Sequence, residues 1–187
     1  MRLLAVSGSR RRDSHNSRLL RTAAQQLPSG VELEFYDGLK QIPPFDEDDE
    51  TLPAPEVLEW RKAIESADAV LFATPEYNSS IPGQLKNAID WASRPKAQAA
   101  LRNKPVAVIG ASTSMFGALW AQAELRKVLS ASGARVLDTE LAVATAHEAF
   151  DGEDQLMEAE LGDALRSVLQ DLADAAARRS EAARVPA

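Results

Sequence analysis

Three short segments of the chain carry most of the side chains able to do chemistry. The first, Gly8-Ser9-Arg10-Arg11-Arg12-Asp13-Ser14-His15-Asn16, follows a short apolar run. Gly8 permits a tight turn, and Ser9 and Ser14 offer hydroxyls. Ser14 or Asp13 is suited to cap a following helix, whose free amides and dipole attract an anion. An arginine beside them adds a charge-assisted bond that contributes about 1.5–3 kcal/mol. The set suits a phosphate monoester, although a capped and solvated polar loop would use the same residues. The segment has neither G-x-G-x-x-G nor G-x-x-x-x-G-K-[ST], which disfavours a Rossmann dinucleotide site and a P-loop.

The second segment runs from Thr74 to Trp91. Pro75 stiffens its start and Pro82-Gly83 opens a helix, leaving Glu76-Tyr77-Asn78-Ser79-Ser80 between them. A rigid loop with Tyr77 and Asn78 supplies a flat wall and amide donors, which a planar heteroaromatic ring needs. A proline-punctuated connection with a core tyrosine is the plainer reading. The third segment, Gly110–Arg126, is a turn entering a helix. Its Met115, Phe116 and Trp120 could line an apolar pocket, and Trp120 equally suits core or subunit packing.

The elements that must position these segments are legible in the hydrophobic pattern. Strands are expected at Leu3–Ser7, Val31–Tyr36, Ala69–Thr74, Lys104–Gly110 and from Arg135 towards Val143. Helices are expected at Ser14–Leu27, Glu56–Ser66, Gly83–Ala92, Leu119–Ser132 and Asp154–Arg179. The alternation predicts an α/β fold: a flavodoxin-like, doubly wound five-stranded parallel sheet of order 2-1-3-4-5 with helices on both faces. It forms one domain over residues 1–180, with a frayed tail over 181–187. Ligands of such sheets bind beyond the carboxyl ends of the strands, at the switch point between strands one and three. The three segments follow strands one, three and four.

Composition narrows the chemistry. The 187-residue chain is 45% hydrophobic and has a formal net charge of −7, which argues for no nucleic acid and no membrane surface as partner. It has no cysteine, so redox chemistry here would need an organic cofactor. The only histidines, His15 and His147, lack metal-ligand spacing, so no metal is expected. The apolar N-terminal run stops at Ser7, short of a signal-peptide core, and a cytoplasmic setting is expected.

The motifs resemble a known family. G-S-R-R-R-D-S-H-N is similar to the G-S-x-R-x-x-S-x-N signature of the NADPH-dependent FMN reductases. P-E-Y-N-S-S-I-P-G-Q-L-K-N-A-I-D-W resembles that family's second signature, and Gly110–Arg126 its third flavin-edge segment. The resemblance implies FMN as cofactor and NADPH or NADH as donor. The acceptor would be a quinone, chromate, an azo compound or flavin, served by ping-pong hydride transfer. It also implies a homodimer or homotetramer with flavin sites near the interface. The connection Asp37–Pro55, with Pro43-Pro44-Phe45, and the apolar residues after Ile81 are candidates for that contact, and Trp91 suits either the core or the interface.

Carried over by position, Ser9, Arg11, Ser14 and Asn16 match FMN-phosphate contacts. Pro75, Glu76, Tyr77, Asn78 and Ser79 match the isoalloxazine and ribityl loop, and Ser112, Thr113 and Gly117 the ring edge. Arg10 and Arg12 fall at variable positions, suiting a solvated face or a phosphate of NADPH equally. Ser114 and Ala118 stand where many members carry glycine, so a less open turn is expected. No side chain is required as a catalytic nucleophile. The alternative is a flavodoxin-type electron carrier serving protein partners, although such carriers use a threonine- and glycine-rich phosphate loop.

Overall fold

The computed structural model describes residues 1–184. The chain runs β1 (Arg2–Ser7), α1 (His15–Gln25), β2 (Glu32–Phe35), α2 (Pro55–Ser66), β3 (Ala69–Thr74), α3 (Gly83–Ala92), β4 (Pro105–Ala111), α4 (Leu119–Ala131), β5 (Arg135–Val143) and α5 (Ala159–Arg184). All strands are parallel, in the order β2-β1-β3-β4-β5. This is the expected flavodoxin-like sheet. Of the tail expected to fray, residues 181–184 belong to α5, and 185–187 lie outside the described residues.

The strand patterns follow from position in the sheet. Every residue of β3 and β4 is buried, as expected for central parallel strands covered on both faces. On β2, by contrast, three of four residues are exposed, which marks it as the edge. Alternate strand positions feed two apolar layers. Leu4, Val6, Phe72 and Val108 pack with Trp60, Ile64 and Leu125 of α2 and α4. Leu3, Leu71 and Ile109 pack with Leu19, Leu20 and Leu169 of α1 and α5.

One expectation needs correction. The last helix begins at Ala159 and not at Asp154. Residues 151–155 instead form a turn in which the Asp151 amide donates to the Gln155 carbonyl at 2.9 Å, with Asp154 at φ +62°. The Asp154 carboxylate is engaged by Arg18 and by Arg21, the latter at 2.7 Å, so it ties the loop to α1. Burial alone would raise its pKa, but the hydrogen bonds from Arg21 and Arg18 prevail and hold it below the usual carboxylate range.

The segment Pro43–Phe45 packs on α3. The Asn87 Nδ2 and Trp91 Nε1 groups of α3 donate to the Pro43 carbonyl at 2.8 and 3.0 Å. Phe45 meets the Trp91 ring edge-on at 4.9 Å between centroids. Of the two readings open to Trp91, its burial supports the core: it is 1% exposed.

Candidate functional site

The site begins where β1 ends. The Gly8 amide donates to the Ala73 carbonyl at 2.8 Å, extending the β1–β3 pairing by one bond. A Cβ on Gly8 would lie 2.9 Å from Leu85 Cδ2 and 3.2 Å from Pro75 Cδ. Glycine thus eases the close approach of the first loop to Pro75 of the second at the switch point.

The first loop then turns into α1. Ser14 caps the helix, its hydroxyl accepting from the Ser17 amide at 3.3 Å. The first backbone bond is Arg18 N–H to the Ser14 carbonyl, so the amides of His15 and Asn16 lie outside the helical ladder. No acidic residue occupies the first turn. The helix start therefore offers free donors and the positive end of a dipole. The His15 pKa is held below its ordinary value, first by burial and then by Arg11, Arg18 and His147. It is therefore uncharged at neutral pH, and the loop's positive charge resides on its arginines.

Asn16 is buried, and both ends of its carboxamide are engaged. Its Nδ2 donates to the Ala111 carbonyl at 2.9 Å, and its Oδ1 accepts from the Ala111 amide at 3.0 Å. This clasp joins the start of α1 to the end of β4 and leaves one Nδ2 hydrogen for a further acceptor.

In the second loop the amides of Tyr77 and Ser80 each donate to the other's carbonyl, at 2.9 and 3.1 Å. Asn78 and Ser79, at φ +53° and +59°, form the tip between them. Asparagine tolerates this left-handed geometry better than most residues. The turn consumes no amide of Asn78 or Ser79. Two carboxylates tether the loop to α4: Glu76 Oε2 accepts from the Ala121 amide at 3.1 Å, and Glu124 Oε2 from the Ser80 hydroxyl at 2.5 Å.

The third loop is pinned at its start, where both backbone groups of Ser112 are bonded. The Ser112 amide donates to the Val143 carbonyl at 3.0 Å, and the Ala146 amide to the Ser112 carbonyl at 3.0 Å. Ser114 turns its amide onto the Ser112 hydroxyl at 3.1 Å, giving Ser112 a local partner. Gly117 is at φ +56°, where a Cβ would lie 2.6 Å from the Ala142 carbonyl carbon. Ala118 is also left-handed, at φ +63°, although it carries a side chain.

These loops enclose a cavity of about 110 Å³. Nine of the twelve residues expected at the site line it: Ser9, Arg11, Ser14, Asn16, Pro75, Glu76, Tyr77, Ser112 and Thr113. Asn78 and Ser79 sit just beyond it on the turn, and Gly117 packs against β5 instead. His15 and Ala111 also line the cavity. His15 could have been recognised from its place directly after the Ser14 cap, whereas Ala111 contributes by backbone and leaves no side-chain signal.

The donor set fits FMN. Buried Ser9, Ser14 and Asn16, the free amides of α1 and Arg11 suit a phosphate dianion. The half-exposed Tyr77, with Ser112 and Thr113, lines the same cavity and offers an aromatic face for the ring. Glu76, the one carboxylate on the cavity, is occupied by the α4 amide.

Fold and site together define an FMN-dependent oxidoreductase of the flavodoxin-like class. The NADPH-dependent FMN reductase family model matches residues 1–148, and the chain belongs to that family. An NAD(P)H-dependent FMN reductase of Pseudomonas aeruginosa is 41% identical over 174 residues, covering 92% of this chain and 93% of that protein. A 2-hydroxy-1,4-benzoquinone reductase of a Burkholderia species is 42% identical over 68% of this chain and 69% of its own length. Among solved structures, the flavoenzyme NAD(P)H:(acceptor) oxidoreductase FerB of Paracoccus denitrificans superposes with a TM-score of 0.83 at 31% identity, covering 95% of this chain and 97% of that one. The cofactor is accordingly FMN and the electron source NAD(P)H.

Proposed function

We propose that the chain reduces small quinone-like acceptors with two electrons from NAD(P)H in a ping-pong cycle. The observation that carries this reading is the cavity shared by all three loops, with a phosphate cradle at the α1 end and an open wall at Tyr77. Bound FMN would supply the redox chemistry, taking a hydride from the nicotinamide and returning two electrons to the acceptor. The balance is NAD(P)H, a proton and a quinone giving NAD(P)⁺ and a hydroquinone.

The protein's own residues bind and orient. Ser9, Arg11, Ser14 and Asn16 hold the phosphate end. Pro75 and Tyr77 form the wall for the ring, with Ser112 and Thr113 at its edge. The turn at Asn78 and Ser79 presents amides that its own hydrogen bonds do not use. Glu76 holds the second loop against α4, which fixes the wall relative to the third loop. No side chain is assigned a proton-transfer or nucleophilic role.

Exposed Met115, Phe116, Leu119 and Trp120 crowd the third loop and the start of α4, with Phe116 and Trp120 edge to face at 4.8 Å. They support an acceptor that is apolar, or a homodimer or homotetramer contact beside the site. No helix among the described residues is long and apolar enough to cross a membrane. A cytoplasmic setting is part of the same proposal, since the donor is an intracellular coenzyme.

The test is steady-state NAD(P)H oxidation with a benzoquinone at several fixed acceptor concentrations. Parallel double-reciprocal lines support the ping-pong reading. Intersecting lines, or oxidation that requires an added protein partner, contradict it.

A further inference from the structure

The helices α3 and α4 start from the second and third loops and end at the opposite edge of the sheet, shortly before β4 and β5 begin. There the segment before β4 meets the segment before β5, the Asn103 amide donating to the Gly133 carbonyl at 2.9 Å. A cavity of about 370 Å³ lies between the two helix ends, and none of its lining residues lines the cofactor cavity. Its volume falls in the range of small-molecule sites, about 300–1,000 Å³.

In a chain of net charge −7, this cavity is lined by four cations, Lys86, Arg94, Lys96 and Arg102, and one carboxylate, Asp90. Asp90 is taken by Lys86 at 2.8 Å. Neither Lys96 nor Arg102 forms an ion pair among the described residues. Glu50 and Glu47 approach Arg94 only to 3.7 and 3.9 Å, too far for hydrogen bonds, and the Arg94 Nε is buried with no hydrogen-bond partner. A buried charged donor without an acceptor is costly.

Cations near helix C-termini commonly cap the last carbonyls. Here those carbonyls have other partners. On α3, the carbonyls of Asp90, Trp91 and Ala92 accept from Ser93, Arg61 and Ala100. On α4, those of Val128, Leu129 and Ser130 accept from Ser132, Ala134 and Gly133. Capping therefore does not occupy Arg94, Lys96 and Arg102, which leaves them for an external anion. The geometry points to a second ligand site here, in which these three cations bind the phosphate dianion of a small molecule. Three positive charges suit a dianion better than a single carboxylate, and an arginine fork grips phosphate through two bonds at once. Val128 and Ala131 give the same cavity an apolar side, which suits a short carbon body attached to the phosphate.

The test uses protein saturated with FMN, so that the cofactor cavity is filled, and the variant Lys96→Ala/Arg102→Ala, which removes two exposed side chains and leaves the core intact. Calorimetric titration at one fixed ionic strength compares glycerol 3-phosphate, inorganic phosphate and acetate, and amide chemical shifts locate the binding. The expected result is one glycerol 3-phosphate per chain, bound at least about tenfold tighter than acetate. The shifts should centre on Ser93 and Gly133, and the double variant should weaken binding at least about tenfold. Inorganic phosphate binding as tightly as the ester supports a site for free phosphate, and weaker binding supports one for a phosphate ester. Acetate binding as tightly as glycerol 3-phosphate overturns the proposal, as does the absence of saturable binding. Binding that survives the double variant, or shifts that centre on the first loop, also overturns it.

Discussion

Asn16 and Ala111, far apart in sequence, are joined by two hydrogen bonds that use both ends of one buried side chain, at 2.9 and 3.0 Å. The clasp sets the α1 start against the end of β4, and so sets the first loop against the third. Asn16→Ala would remove both of these buried hydrogen bonds. A buried bond contributes about 1 kcal/mol net, so urea unfolding should show a loss of about 1–3 kcal/mol. A loss below about 0.5 kcal/mol would mean that water replaces the clasp at no cost.

Arg11 is the one arginine lining the cofactor cavity, and the proposed function assigns it to the FMN phosphate. Arg11→Ala should weaken FMN binding by about 1.5–3 kcal/mol, roughly ten- to a hundredfold, measured by quenching of flavin fluorescence. Riboflavin, which has no phosphate, should bind both proteins equally. An unchanged FMN affinity would count against the assignment of the phosphate to this loop.

The fold was legible because its signals are local and strong. The unbroken apolar runs of β3 and β4 leave little choice but central parallel strands, and the expected bounds of β3 and α3 agree with the structure to the residue. The start of α5 was not legible. Helical composition extends back to Asp154, and only the long-range pairing of that carboxylate with Arg18 and Arg21 draws the segment into a loop. At the site, the side chains that line the cavity could be read from motif spacing. The role of Ala111 could not, because it acts through its backbone. Nor could the role of Glu76, whose partner is a helix amide forty-five residues away.

Gly117 and Ala118 share a left-handed backbone and should respond differently to substitution. A Cβ at Gly117 meets backbone atoms of Ala142 and Val143 at 2.6 and 2.9 Å, which cannot give way without moving β5. Gly117→Ala should cost about 2–4 kcal/mol by urea unfolding. Ala118→Gly relieves a strained φ while losing one buried methyl group, and the two effects offset to within about 1 kcal/mol. If both variants were neutral, the tight seat of the third loop on β5 would be disproved.

Stability should pass through a maximum at alkaline pH. Lys104 is buried, its ammonium donates to the carbonyls of Ala67 and Glu65, and burial pulls its pKa from 10.5 down to about 8. Between pH 8 and 10.5 the unfolded chain therefore binds more protons than the folded one, and stability rises with pH by up to about 3 kcal/mol. Tyr36 works the other way. Burial, with Glu59 and Glu56 nearby, raises its pKa from 10.0 to about 12, so stability falls as pH climbs through that window. Urea midpoints across this range should rise and then fall, and Lys104→Met should flatten the rising limb. A rising limb unchanged in that variant would assign the effect to another group.

The most direct measurement is the anaerobic absorbance spectrum of the purified, FMN-supplemented protein during titration with NADPH. The account predicts a yellow protein with one FMN per chain, whose flavin band bleaches fully on addition of about one equivalent of donor and returns when a benzoquinone is added. A protein that takes up no FMN would contradict the account, as would bound flavin that neither NADPH nor NADH reduces.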